Sequence, residues 1–98
     1  MKLMISQPMR GKTNEQIKEE RSVLVEKLVR EGHEVLDTII SEDAPKDVDE
    51  SIYYLSKSIE FISKVDGIVF MKGWNDARGC RIEFQVALEY GKFIRTEE

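Results

Sequence analysis

The sequence predicts an α/β fold in three layers: a short parallel sheet of four strands, order 2-1-3-4, with helices on both faces. Three observations carry this. Leu3-Met4-Ile5 and Ile68-Val69-Phe70-Met71 are short continuous apolar runs, as expected of strands buried on both faces. Segments with helical spacing of apolar residues alternate with the strand-like runs: strand, helix, strand, helix, strand, helix, strand. Loop formers and terminal glycines punctuate the boundaries. Such alternation implies parallel strands joined by right-handed crossovers. In the order 2-1-3-4 the winding reverses between the first and third strands. Ligands bind at that reversal, beyond the carboxyl ends of the strands.

The first strand ends at Ser6-Gln7-Pro8, and residues 7–14, QPMRGKTN, form a loop. Thr13 or Asn14 can cap the helix over 15–31. Ile17, Leu24, Val25, Leu28 and Val29 lie near one face of it, and Gly32 terminates it. Residues 33–40 contain the second strand, less continuously apolar and so placed at an edge. His33, the one histidine, falls at the end opposite the expected site and reads as structural or solvated. Residues 41–49 form an acidic loop in which Asp47 or Asp49 can cap the helix over 50–64. Ile52, Leu55, Ile59 and Ile62 keep helical spacing there. A turn at 65–67 precedes the third strand, and residues 92–95 make a fourth before a polar tail over 96–98.

Residues 72–91, KGWNDARGCRIEFQVALEYG, read as a loop opening into a helix from about Cys80 to Tyr90, with Gly91 as the left-handed terminator. Asn75 or Asp76 can cap its backbone donors. On a wheel of roughly 100° per residue, Cys80, Ile82, Phe84, Val86, Ala87, Leu88 and Tyr90 fill a wide apolar arc. Arg81, Gln85 and Glu89 share the polar strip. Glu83 falls inside the apolar arc, in the first turn. Burial raises the cost of its charge, and the helix N-terminus offsets part of that cost. A carboxylate so placed suits a nucleophile or general base. The bland alternative is a helix cap, or a pair with Arg78 or Arg81.

A chain of 98 residues makes one domain, here spanning 1–98. Net charge −4 and pI near 5.1 argue against general nucleic-acid binding, which wants a basic face. A small anionic ligand remains compatible, since one local donor cluster holds it. Cys80 is the single cysteine, so no intrachain disulfide forms, and no histidine or thiol cluster points to a metal. Cys80 reads as a small buried residue. The start MKLMISQ is too short for a signal peptide or a membrane span, so a cytoplasmic protein with no membrane partner is expected.

Two loops, residues 7–13 and 72–79, meet at the winding reversal, and Glu83 leaves the second. Arg10, Gly11, Lys12 and Thr13 form an anion cradle before a helix start. The GxxxxGK[ST] and GxGxxG spacings are absent, so this is neither a P-loop nor a dinucleotide fingerprint. Trp74 can stack on a flat ring or pack against the protein, and Arg78 can bind an anion or pair with Asp76.

The strand followed by QPMRG, then VDGIVFMKGW, then RGCRIEFQVALEYGK, resembles the nucleoside 2-deoxyribosyltransferase superfamily, in particular a small branch common in phage and bacterial genomes. The likeness covers nearly the whole chain. It implies a flavodoxin/Rossmann-like fold and a glutamate nucleophile that attacks the anomeric carbon of a deoxyribose, which by motif position is Glu83. It implies phosphate contacts at Arg10 and Gly11, no cofactor, and a pocket completed in a homo-oligomer. Glu83 is therefore the candidate catalytic residue. Candidate substrate contacts are Gln7, Met9, Arg10 and Gly11 from the first loop, Trp74, Asn75, Arg78 and Gly79 from the second, and Ser58 on the intervening helix. In catalytic relatives an aspartate stands where this chain has Ser58.

Three functions follow as expectations. One is an N-glycosidic enzyme acting on a nucleoside or its 5′-monophosphate, either a deoxyribosyltransferase or a hydrolase. Another is a nucleotide or sugar-phosphate binder without turnover, as Ser58 fits. The third is a small interaction protein in which Glu83 is a cap.

Overall fold

The computed structural model describes residues 1–40 and 42–97; Ser41 of the expected acidic loop and Glu98 of the tail lie outside the described residues. Among the described residues the strands are β1 (Lys2–Ser6), β2 (Glu34–Val35), β3 (Gly67–Phe70) and β4 (Phe93–Thr96). The helices are α1 (Asn14–Arg30), α2 (Glu50–Ile62) and α3 (Arg78–Glu89), with a 3-10 turn at Trp74–Asp76. The sheet is wholly parallel in the order β2-β1-β3-β4.

The two apolar runs take the centre because only central strands of a covered sheet bury both faces. Leu3 pairs with Gly67 and Ser6 with Phe70 across β1 and β3. Alternation along β1 divides the core. Leu3 and Ile5 pack with Leu24 and Leu28 of α1, while Met4 faces Ile62 of α2 and Ala87 of α3. Thus α1 covers one face and α2 with α3 the other. Gly67 is required at the β3 start, because a Cβ there would lie 2.6 Å from the Phe93 carbonyl oxygen.

Thr13 caps α1 through a reciprocal box. Its Oγ1 accepts from the Gln16 amide at 3.1 Å, and Gln16 Oε1 accepts from the Thr13 amide at 2.9 Å. Asp49 caps α2, accepting from the Ile52 amide at 3.1 Å. Gly32 and Gly91 turn the chain out of α1 and α3 with positive φ, as expected.

The second strand falls within 33–40 as expected and is two residues long; the chain then leaves the sheet, and Thr38 to Ile40 line a cavity. Two local expectations need correction. Helix α3 begins at Arg78, and its N-cap is Ala77 with no side-chain cap; Asn75 and Asp76 are consumed by the 3-10 turn. The wide apolar arc of α3 is not wholly buried. Cys80, Glu83 and Ala87 form its buried stripe, while Ile82, Leu88 and Tyr90 are 37%, 58% and 78% exposed. A helix on a sheet covers one stripe, and the rest of the arc faces outward. Among the described residues no helix is long and apolar enough to cross a membrane.

Candidate functional site

Ser6 ends β1 on the α2/α3 side, and the next residue, Gln7, points to the α1 side. A cavity of about 450 Å³ opens around this strand end, within the size range of small-molecule sites. Its walls are the N-terminal half of α1, the segment 38–40, Tyr54 and Ser58 of α2, and Glu83 of α3.

Glu83 is 8% exposed. Ser6 Oγ donates to its Oε1 at 3.4 Å, a long hydrogen bond. Burial pushes its carboxyl up to about 7, against weaker opposing effects of the Ser6 hydroxyl and the Arg21 charge. Glu83 lies in the second turn of α3 rather than the first, because the helix starts two residues early. The free amides of the helix start therefore give it no relief. Nor does it cap the helix or pair with Arg78 or Arg81; among the described residues it is in no ion pair, and Arg81 Nη1 donates instead to the Asn75 carbonyl at 3.1 Å. Half-ionised near neutrality, this acid can act as nucleophile or as proton donor and acceptor. Beside it, burial pushes the Cys80 thiol up, against a Ser6 hydrogen bond and with some help from the Glu83 charge. Cys80 is thus an unreactive core residue.

Arg21 of α1 is the residue that the sequence reading missed. It is 7% exposed. Its Nη1 donates to Gln7 Oε1 at 3.3 Å and its Nη2 to Thr38 Oγ1 at 2.6 Å. Gln7 is locked in turn, donating from Nε2 to the Ile17 carbonyl at 2.8 Å. Burial draws the Arg21 pKa down, opposed by the charges of Asp37 and Glu83. A signal was available: Ile17, Arg21, Leu24 and Leu28 follow helical spacing, so Arg21 occupies the buried stripe.

The structure brings Gln7, Met9, Ser58 and Glu83 together around this cavity. It places Arg10, Arg78 and Gly79 elsewhere, around a second and more open cavity of about 980 Å³ between the β1–α1 loop and the starts of α2 and α3. The two loops do meet, with Pro8 Cγ 3.8 Å from where a Cβ on Gly73 would be. Glu83 lines the first cavity and Arg10 the second, so the expected anion cradle and the acid do not share a cavity. Gly11 and Asn75 are exposed and line neither cavity. Trp74 is a packing residue: its ring stacks on Phe84 at 4.5 Å and 14°, and it leans on Phe70 at 5.3 Å. Stacking on Phe84 takes one face of the ring. Arg78 is exposed and makes no ion pair with Asp76 among the described residues. Among the described residues, no group of three or more His, Cys, Asp or Glu is arranged to hold a metal ion.

The family model described as Domain of unknown function (DUF4406) matches residues 1–96. The chain belongs to that family. The match runs from β1 through β4, so both cavities and Glu83 lie inside the family's domain. No curated protein and no solved structure matches the chain.

Proposed function

We propose that the protein is an N-glycosidic enzyme of the nucleoside 2-deoxyribosyltransferase-like kind, acting on a deoxyribonucleoside or its 5′-monophosphate with Glu83 as nucleophile. The observation that carries this reading is a carboxyl group 8% exposed, at the strand-end cavity, with its pKa pushed up to about 7. A carboxylate nucleophile needs partial desolvation to attack and must be ionised to do so. In the reaction a Glu83 oxygen forms a bond to the anomeric carbon as the carbon–nitrogen bond breaks. The base leaves with that electron pair and takes a proton from solvent, which the incoming base or water returns when it opens the glycosyl ester. The glycosyl ester then passes its sugar to a second base, or to water. The Arg21 guanidinium stabilises the ionised form of Glu83 before attack and after release. The protein works in the cytoplasm as a homo-oligomer in this reading, and needs no cofactor.

The test is base release from deoxyribonucleosides and their 5′-monophosphates, followed by chromatography. Wild type should release base, and Glu83→Gln and Glu83→Ala should not. Absence of release from every member of the panel by wild type would reject the enzymatic reading. A second reading has one observation in its favour: among the described residues Glu83 is the only acid lining the cavity, and Ser58 stands where a second acid would assist the leaving base. On that reading the cavity binds a nucleotide or sugar phosphate without turnover, and calorimetry shows saturable binding where chromatography shows no product.

A further inference from the structure

We propose that Arg21 is the anion receptor of this cavity, holding a phosphomonoester of the ligand from the α1 wall. The identity of the rest of the ligand rests on the function proposed above; the anion site rests on α1 alone.

A guanidinium this deeply buried is costly unless an anion matches it. Here its hydrogen-bond partners are neutral, the Gln7 amide oxygen at 3.3 Å and the Thr38 hydroxyl at 2.6 Å. Among the described residues no carboxylate forms an ion pair with it; Asp37 and Glu83 act on it only at longer range. These two hydrogen bonds leave three of its five N–H donors, enough for a bidentate oxyanion. Lys18 lies three residues earlier on the same wall and, among the described residues, makes no ion pair. Among the residues lining the cavity two cations stand against the one acid, with Asp37 behind Arg21 at longer range, so the lining itself has room for an anion. Met9, Ile39, Ile40 and Tyr54 supply an apolar wall for the uncharged part of the ligand. Arg10, the candidate for this role from the sequence, borders the other cavity and does not line the one that holds Glu83 and Arg21.

The experiment titrates inorganic phosphate, a deoxyribonucleoside and its 5′-monophosphate into wild type, Arg21→Met, Arg21→Lys, Lys18→Gln and Arg10→Ala by calorimetry, with circular dichroism as the folding check. Phosphate should bind wild type. Arg21→Met should weaken it by about 10- to 100-fold, the worth of charge-assisted hydrogen bonds. Lys18→Gln should weaken it several-fold, and Arg21→Lys should recover only part of the affinity, because a point charge replaces a fork. If Arg21→Met fails to fold, Arg21→Lys and Lys18→Gln decide. Undiminished phosphate affinity in the Arg21 and Lys18 variants overturns the proposal, as does a loss confined to Arg10→Ala, or no phosphate binding by wild type. Phosphate bound through Arg21 with neither nucleoside nor nucleotide bound would keep the anion site and reject the nucleoside reading. Equal affinity for nucleoside and monophosphate, indifferent to Arg21, would do the reverse.

Discussion

Replacing Glu83 by glutamine is expected to change how stability depends on pH. The folded carboxyl is pushed from its ordinary 4.5 to about 7, mainly by burial. Between those values the folded state holds a proton that the unfolded chain has released, so stability falls as pH rises. The contribution is fully present below pH 4.5 and is lost as pH rises through 7. Each pH unit in that window is worth about 1.4 kcal/mol, so from pH 5 to pH 8 Glu83 alone removes about 2.5 kcal/mol. Glutamine has the same shape, can still accept from Ser6, and does not titrate. Glu83→Gln should therefore exceed wild type only slightly near pH 5, by about 1 kcal/mol, and its advantage should widen by about 2.5 kcal/mol by pH 8, or about 10–20 °C in Tm for a domain of this size. Urea unfolding followed by the fluorescence of Trp74, the sole tryptophan, measures this. Other titrating groups are common to both proteins and cancel in the difference. If the two stability profiles run parallel from pH 5 to pH 8, Glu83 is not held as described. A gain in stability on removing a buried acid is the usual mark of a residue kept for function.

Other outcomes follow from the same geometry. Because nucleophilic attack needs the ionised acid, kcat/KM for base release should rise with pH through an apparent pKa near 7, then level; a profile already flat at pH 5 contradicts this. Ser6→Ala removes the hydroxyl that donates to Glu83 at 3.4 Å, so that midpoint should move upward by a few tenths of a unit, a small change because the bond is long. A downward move refutes the assignment. Trp74→Ala should cost about 2–4 kcal/mol in urea unfolding followed by circular dichroism, through lost packing on Phe84 and Phe70, while ligand affinity in calorimetry stays within about twofold. A large affinity loss at unchanged stability would make Trp74 a ligand contact after all.

The sheet order was legible because it rests on coarse signals: two continuous apolar runs, terminal glycines, and alternation with amphipathic segments. Glu83 was legible because a charge in an apolar stripe stands out on a wheel. Arg21 offers the same signal, but arginine on a 17-residue helix rich in Glu and Lys blends into the polar pattern unless its spacing from Leu24 and Leu28 is traced. Boundary errors had functional consequences. Starting α3 two residues late put Glu83 in the first turn and credited it with helix-start amides that it does not have. The placement of Arg10 depends on how the 7–13 loop bends past Gly73, which no local pattern encodes. Trp74 went to the core because Phe70 and Phe84 are brought beside it by strand and helix packing, a contact between distant elements.

The central claim is that one acid stays partly protonated at neutral pH in the strand-end cavity. Carbon-13 NMR of the glutamate side-chain carboxyls, with Glu83→Gln to assign the resonance, reads this directly. A Glu83 midpoint near 7 is the predicted result. A midpoint near the ordinary 4.5 would show a hydrated carboxylate, and would remove the basis for both the stability trade-off and the nucleophile.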